Sequence, residues 1–590
     1  MLPLLIPAFL SAPLLSAGFA VFVTSDNGTG SVRLCTVDSA SYSVDPLLAG
    51  IRLRECQPAG RSLLDESLSG RALLRSDLEQ GTRVLLPAGR GSIYHYERTS
   101  ALASVYGFFS IDSGGIAHVL IELPAAAGPS DPFLGSLAVR PSGTSMLAPT
   151  TPVAGGDLWE LFTDGTPPRN RTASLAPQVF GRDSCCLSAD LGVAVSTTGV
   201  LRFDPHTIQE AAEIGFEGGT TPPWIGLEVV SSSNGQYAAL LAGDSQTLAR
   251  PFVLGQMGDA LCMSTNGDFL SGAGFLPEAP NGPWLAVSDD GAQCAWRVGD
   301  AHSSGYSHEL FMARRNAGAA PTVLHLTQDA IFEPYIDEIG LAFYRPSGQL
   351  CFMAGDHGTN NALVSRADLF SATLDAAGAP MTVNLSQTSG DPAPPFLNYG
   401  TLELFRLRAR PSSGRALIYS RDSIGRRLLS VDFATYGVQV VQTGVESVGR
   451  IDTSGSDWLA ALELSGPGAH NGLYEVEVPE LDSHLMLDLP TISGNTRILR
   501  DPNDSDWYAA ISSQDDVEHA WEVNLSNGAI RQFSTRDFTF GSSVCFASDG
   551  SLIMSLEVAG GAAIFVVWPR TSTSHKLWPI AQPGFVLPAN

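Results

Sequence analysis

Lysine is all but missing from this sequence: Lys576 is the only one among 34 basic residues, and no mechanism follows from that bias toward arginine. Positive charge is scarce altogether. Set against 60 acidic side chains, the basic residues leave a net charge of −26. A field of that sign repels phosphate backbones, so no nucleic-acid partner is expected. Charged residues make up only 16% of the chain and hydrophobic ones 44%, which excludes a disordered polymer. Beyond Ala20 no apolar run reaches the roughly 18 residues of a membrane span, so no transmembrane segment is expected after the N-terminus.

Catalytic signatures are missing too. There is no G-x-S-x-G nucleophile elbow, Walker loop, H-E-x-x-H or dinucleotide fingerprint. Asp112-Ser113-Gly114-Gly115 echoes a serine-protease fragment, but it stands without partner motifs and reads as a hairpin turn. The eight cysteines (Cys35, Cys56, Cys185, Cys186, Cys262, Cys294, Cys351 and Cys545) form no C-x-x-C pair. They read as buried small hydrophobes before disulfides, with adjacent Cys185 and Cys186 pointing to opposite faces if they lie on a strand. His302 and His308 flank a Ser/Gly-rich hairpin and read as an exposed loop before a metal pair.

Two acidic clusters bear on ion binding. Asp501, Asn503, Ser505 and Asp506 put oxygen ligands at alternate positions, yet the glycine and distant glutamate of a calcium loop are lacking. No cofactor is expected, and a structural calcium ion is the one ion these side chains would suit. Asx residues are also ordinary in turns, which accounts for them better. Asp515, Asp516, Glu518 and His519 read as a solvated hairpin tip. Ser288-Asp289-Asp290-Gly291 with Trp296 approaches the aspartate box of sialidases, off by one in spacing. Sequons begin at Asn27, Asn170, Asn384, Asn503 and Asn524, a number compatible with secretion without requiring it.

What is present is glycine, proline and a repeat. The 60 glycines and 38 prolines are spread along all 590 residues, as many short strands joined by tight turns require. Self-similarity organises them. Pro411-Ser412-Ser413-Gly414 precedes RALIYSRD and then RLLSVDFATYG. Pro346-Ser347-Gly348 precedes QLCFMAGD and ADLFSATLDAAG, and Ser288 to Gly291 leads into AQCAWRVGD and HELFMARRNAG. Further copies begin at Pro141-Ser142-Gly143, Ser188-Ala189-Asp190, Ser233-Asn234-Gly235, Thr453-Ser454-Gly455, Asn503-Asp504-Ser505 and Ser548-Asp549-Gly550, with weaker ones around Gly18, Gly70 and Gly107. Anchors near Gly267 and Gly291 are too close for two full repeats. The usual spacing, about 40–50 residues, is that of a propeller blade. The strand after each glycine is nearly all apolar, as for a strand covered on both faces. The next alternates, as in Leu473–Val478 (LYEVEV), and predicts one wetter face. A short helix is expected around Ile208–Ile214 (IQEAAEI), in a loop between strands.

This unit resembles the WD40-like (PD40) repeat of TolB-type β-propellers, whose consensus runs S-P-D-G, apolar strand, G, then L-Y-x-x-D. Asp stands directly before Gly at Asp290 and Asp549; elsewhere Ser or Asn replaces it. The resemblance covers most of the chain. It implies an all-β fold of about a dozen four-stranded blades, more than one ring of four to eight holds. Two tandem propellers of roughly six or seven blades each are therefore expected, 1–282 and 283–590, divided where PEAPNGPW gathers turn formers. In that family the propeller mostly serves as a binding platform.

The N-terminus has two readings. Met1 to Ala20 is apolar, and Gly18 and Ala20 offer a small-residue cleavage site, as in a secretory signal. Yet no basic residue precedes Arg33, and prolines interrupt the stretch. The other reading makes Gly18–Ser25 (GFAVFVTS) a core strand or one that closes a ring. The functional expectation is a non-catalytic binding or scaffold propeller, acidic and exported to the periplasm or beyond, docking a protein or glycan on its ring faces. The alternative is a hydrolase or lyase with a site at a propeller axis, acting on a glycan or lactone. Such a site draws on residues far apart in sequence, so no catalytic or metal-binding residue is assigned.

Overall fold

The computed structural model describes the backbone of residues 19–25, 32–38, 43–53, 83–85, 92–99, 104–111, 117–124 and most of 138–588, with side chains described chiefly between 138 and 531. Among the described residues there are 45 strands and no α-helix. Contacts divide the chain into two compact units: Met1–Ile51, Ile111–Ala117 and Arg497–Asn590 form one, Arg52–Ser110 and His118–Thr496 the other.

The larger unit is a succession of antiparallel sheets, each formed by strands that follow one another along the chain. Strands Phe180–Leu187, Gly192–Ser196, Val200–Phe203 and Ala212–Glu213 make one such meander, and Trp224–Ser231, Ala238–Gly243, Ala249–Leu254 and Leu261–Cys262 the next. Sheets 138–170, 338–384, 407–443 and 445–488 have the same order. Sheet 273–325 adds a fifth strand, because Ala273–Gly274 and Leu285–Val287 both pair with Gln293–Asp300.

The sequence repeat is the register of this structure. Pro141–Gly143 falls between the first and second strands of its sheet, and so do Ser188–Asp190, Ser233–Gly235, Pro346–Gly348 and Pro411–Gly414, while Ser288–Gly291 has the equivalent place between Leu285–Val287 and Gln293–Asp300. Ser548–Gly550 does the same between Phe538–Phe546 and Leu552–Val558. Gly107 is an exception: it lies within strand Ser104–Ile111, so it anchors no turn. Gly18, Gly70 and Gly267 lie outside the described residues.

Why two apolar faces are needed is visible in side-chain alternation. On strand Ala238–Gly243, Ala238, Leu240 and Ala242 join Val193, Val195 and Val200 of the preceding sheet. Ala239 and Leu241 point the other way, to Leu285, Val287, Cys294 and Trp296 of the following one. Cys185 and Cys186 divide likewise, one toward Leu147 and Leu158, the other toward Ile225 and Leu240. Both are buried thiols, and Cys262, Cys294 and Cys351 are also outside any disulfide; the side chains of Cys35 and Cys545, and all of Cys56, lie outside the described residues. Burying a leucine is worth about 2 kcal/mol, so a sheet with leucines on both faces depends on both neighbours. This face-to-face stacking of four-stranded meanders is how propeller blades pack.

One expectation is refined and one changes. Glu475 and Glu477 do give the third strand a wetter side, each half-buried, but the fourth strand is wetter still. Leu473, Tyr474 and Val476 are all buried, whereas Ser483–Asp488 and Gly437–Thr443 are largely solvated, because the last strand has no further strand beyond it. Around Ile208–Ile214 there is no helix. Ala212 and Glu213 pair with Arg202 and Leu201 instead, so sheet hydrogen bonds claim the backbone and leave 204–211 as a turn.

In the smaller unit an early strand meets a late one. Phe585–Pro588 pairs antiparallel with Phe19–Ser25, in the register Ala20↔Pro588, Val21↔Leu587, Phe22↔Val586 and Val23↔Phe585. Residues 19–25 are thus a strand, and cleavage after Ala20 would remove its first two positions; residues 1–18 lie outside the described residues. Truncation after Gln582 strips the partner from Phe19–Ser25. The expected loss is about 2–4 kcal/mol, read as a lowered melting temperature; an unchanged transition would show that the pairing contributes nothing.

Candidate interaction face

The turn between first and second strands is built alike in successive sheets. Ser188, Ser232 and Ser288 are buried, and each ties its own turn. Ser188 Oγ accepts from Leu191 N (2.9 Å), Ser232 Oγ from Tyr237 N (3.1 Å) and Ser288 Oγ from Gln293 N (2.9 Å). Ser288 Oγ also donates to Asp290 Oδ1 at 2.5 Å, and Ala292 N donates to the same oxygen. The near-aspartate box is therefore a self-capped turn. Trp296 is buried and stacks on Phe311 at 5.7 Å, far from a ligand's reach.

These turns touch. Arg140 Nη2 donates to Ala189 O at 2.8 Å. Gln236 Nε2 donates to Asp190 Oδ2 (2.9 Å), and Gln256 Nε2 to Gln236 Oε1 (3.0 Å). Asn234 sends its N–H to Asp289 Oδ1 and its amide to Asp289 O, both at 2.8 Å. His206, from the turn before a fourth strand, joins in: Nδ1 lies 3.1 Å from Arg140 Nη2 and Nε2 3.0 Å from Asp190 Oδ1. Arg140 Nη2 is also 3.3 Å from Nε2, so it stands over the ring between the two nitrogens, and Nε2 is the one that meets Asp190. The turns of four consecutive sheets, from Arg140 to Asp290, form one hydrogen-bonded polar face.

Asp190 is its electrostatic centre. The Gln236 amide first, then the His206 ring, hold its carboxyl below the usual carboxylate range, against a smaller opposing effect of burial. Further out, Arg315 grips Glu217 with both terminal nitrogens (2.5 and 2.6 Å) and lowers that carboxyl too.

The other sequence candidates fall elsewhere. Asp501 is buried at the end of strand Arg497–Asp501 and paired in register with Asp504, a tight hairpin as the turn reading requires; Asn503 and the Ser505 side chain lie outside the described residues. Gln514 pairs with Val517; Asp515 and Asp516, and the Glu518 and His519 side chains, lie outside the described residues. His302, the His308 side chain and Asp112–Gly115 are likewise undescribed. Among the described residues no group of three or more His, Cys, Asp or Glu could hold a metal ion. Three sequons have structural uses. Asn170 Oδ1 accepts from Thr172 N, Asn384 Oδ1 from Ser386 N, and buried Asn524 Oδ1 from Ser526 Oγ and Asn527 N. Asn27 and Asn503 are outside the described residues.

Sequence reasoning found the turns but missed Arg140, His206, Gln236 and Gln256. Nothing in the sequence marks them, since they matter through contacts between sheets tens of residues apart.

No family model matches the chain, and no curated protein does. Solved structures resemble it distantly. TolB from Acinetobacter baumannii is 10% identical over 52% of this chain, with a TM-score of 0.24, and the match spans 65% of TolB's length. A dipeptidyl peptidase 4 from Porphyromonas gingivalis is 11% identical over 88% of this chain and 68% of its own (TM-score 0.38). A GH74 enzyme from Niastella koreensis is 12% identical over 95% and 86% (TM-score 0.27). Similarity this low assigns no activity.

Two variants test the face. Gly291 has φ 66° and a Cβ there would overlap the Tyr237 ring, whereas Gly258 (φ 82°) has open space. Gly291→Ala is expected to destabilise by about 2–3 kcal/mol and Gly258→Ala by about 1 kcal/mol in chemical denaturation; equal losses would mean the turns are not seated on each other. Asp190 has a folded pKa below its unfolded one, so its contribution is present above about pH 4 and fades as pH falls through the folded value. Asp190→Asn should therefore unfold earlier than wild type at pH 7, by up to about 1 kcal/mol for so exposed a pair. The gap should close in acid, and one that widened there would refute the assignment.

Proposed function

We propose that this chain is a non-catalytic binding or scaffold β-propeller, exported or envelope-associated, which docks a partner on the face made by its first-to-second-strand turns. The observation that carries the reading is the continuity of that face. Hydrogen bonds between turns of successive sheets hold Asp190, His206, Asn234, Gln236 and Asp289 in fixed relation on one polar surface. Pre-organised polar surface of this kind loses little entropy on binding. In its finer form the reading has two rings of roughly six or seven blades, divided near residues 282/283. Among the described residues no helix is long and apolar enough to cross a membrane.

The test uses the purified full-length chain against a panel of polysaccharides, lactones and peptides. Saturable binding is expected without release of reducing ends, hydroxy acids or amines, and Asp190→Ala with Asp289→Ala should weaken it about tenfold. Turnover above a heat-denatured control would overturn the reading in favour of a hydrolase or lyase.

A further inference from the structure

Two turns on this face hold an apolar side chain out in water, and each is gripped by an arginine of the preceding sheet. Turn 204–211 carries Ile208, 82% exposed, and turn 255–260 carries Met257, 87% exposed. Among the described residues these are the most exposed large hydrophobic side chains; the next is Val119 at 53%. Arg171 Nη1 donates to Thr207 O at 2.9 Å and Gln209 O at 2.6 Å, the carbonyls on either side of Ile208. Arg202 Nη1 repeats the device one sheet on, donating to Gly255 O at 3.1 Å and Gly258 O at 2.8 Å around Met257.

Arg171 is itself fixed. It is buried, its Nε donates to Glu160 Oε2 at 2.8 Å, Nη2 bonds the same oxygen, and its Cζ stands 4.6 Å over the Phe203 ring. Ser145 Oγ occupies the other oxygen of Glu160 at 2.9 Å. A turn needs only Ser, Asn, Asp or Gly to reverse the chain, so an apolar tip adds nothing to the fold. Free of the clamp, such a tip would lower its exposure by folding back. Clamped at both flanks, it stays presented, and an anchor held in place before binding loses little further freedom.

The surrounding charge says what fits. Asp204 and Glu210 bracket Ile208 in its turn, Asp259 follows Met257, and Asp204, Glu210 and Asp259 are exposed in a chain of net charge −26. Anionic lipid is repelled by that field, and aliphatic tips lack the aromatic faces on which sugars stack. A protein with apolar sockets ringed by Lys or Arg complements both features.

We propose that Ile208 and Met257 are paired anchors of a docking surface for a basic protein partner, held ready by Arg171 and Arg202. The proposal rests on the binding-platform reading and names its partner's chemistry.

The probe is a phage-displayed library of random peptides, selected on the full-length chain and followed by affinity measurement with the enriched peptides. Enriched sequences should combine Lys or Arg with large apolar residues and bind less tightly as salt is raised. The double variant I208S/M257S should bind them about tenfold or more weakly, with an unchanged melting temperature, while Val440→Ser, exposed on another sheet, should not. Peptides that bind wild type and double variant equally overturn the anchors but leave a binding platform standing. Loss in the double variant of phosphatidylserine-vesicle binding, or of self-association measured by sedimentation, overturns the proposal in favour of a membrane or a second copy. A library that yields no binder overturns it outright; turnover of a panel substrate would sink the platform reading itself.

Discussion

The sheets of the larger unit whose side chains are described are apolar on both sides, and the need to cover both sides governs their arrangement. A strand such as Ala238–Gly243 sends alternate side chains to two different cores. No single meander can satisfy that demand. Stacking the next copy against each face does, and the stacking brings equivalent turns of neighbouring sheets into contact. The polar face from Arg140 to Asp290 is a by-product of covering hydrophobic surface. Its side chains could then be chosen for other ends without disturbing the core.

That division explains what the sequence reveals and what it hides. Glycine-anchored turns are legible because each is a local solution to a tight strand reversal, written in adjacent residues such as Ser288 to Gly291. Apolar runs on either side are legible because burial on both faces removes the polar alternation. Alternation in Leu473–Val478 is legible, since Glu475 and Glu477 are half-buried against buried Tyr474 and Val476, but the still wetter fourth strand carries no such pattern. Ile208–Ile214 has helical composition, but pairing of Ala212 and Glu213 with a neighbouring strand overrides local preference.

The candidate face is legible only by halves. Asp190, Asn234 and Asp289 stand out as turn residues, yet their partners are dispersed. His206 reaches Asp190 across 16 positions, Gln236 across 46, and Asn234 reaches Asp289 across 55. The arginine clamps are similarly remote. Arg171 looks like part of a sequon in sequence, and only the structure shows it buried between Glu160 and the carbonyls of another sheet's turn. Distances of this order along the chain carry no periodic signature.

Pairing of Phe585–Pro588 with Phe19–Ser25 has a consequence for how the protein comes into being. During synthesis the early strand emerges hundreds of residues ahead of its mate, and one of its edges stays open until Phe585–Pro588 has been made. Contacts of such long sequence separation form slowly, and an open edge invites pairing with other chains meanwhile. Products that stop short of Phe585 would keep that open edge, so this pairing separates chains that include the late strand from those that lack it.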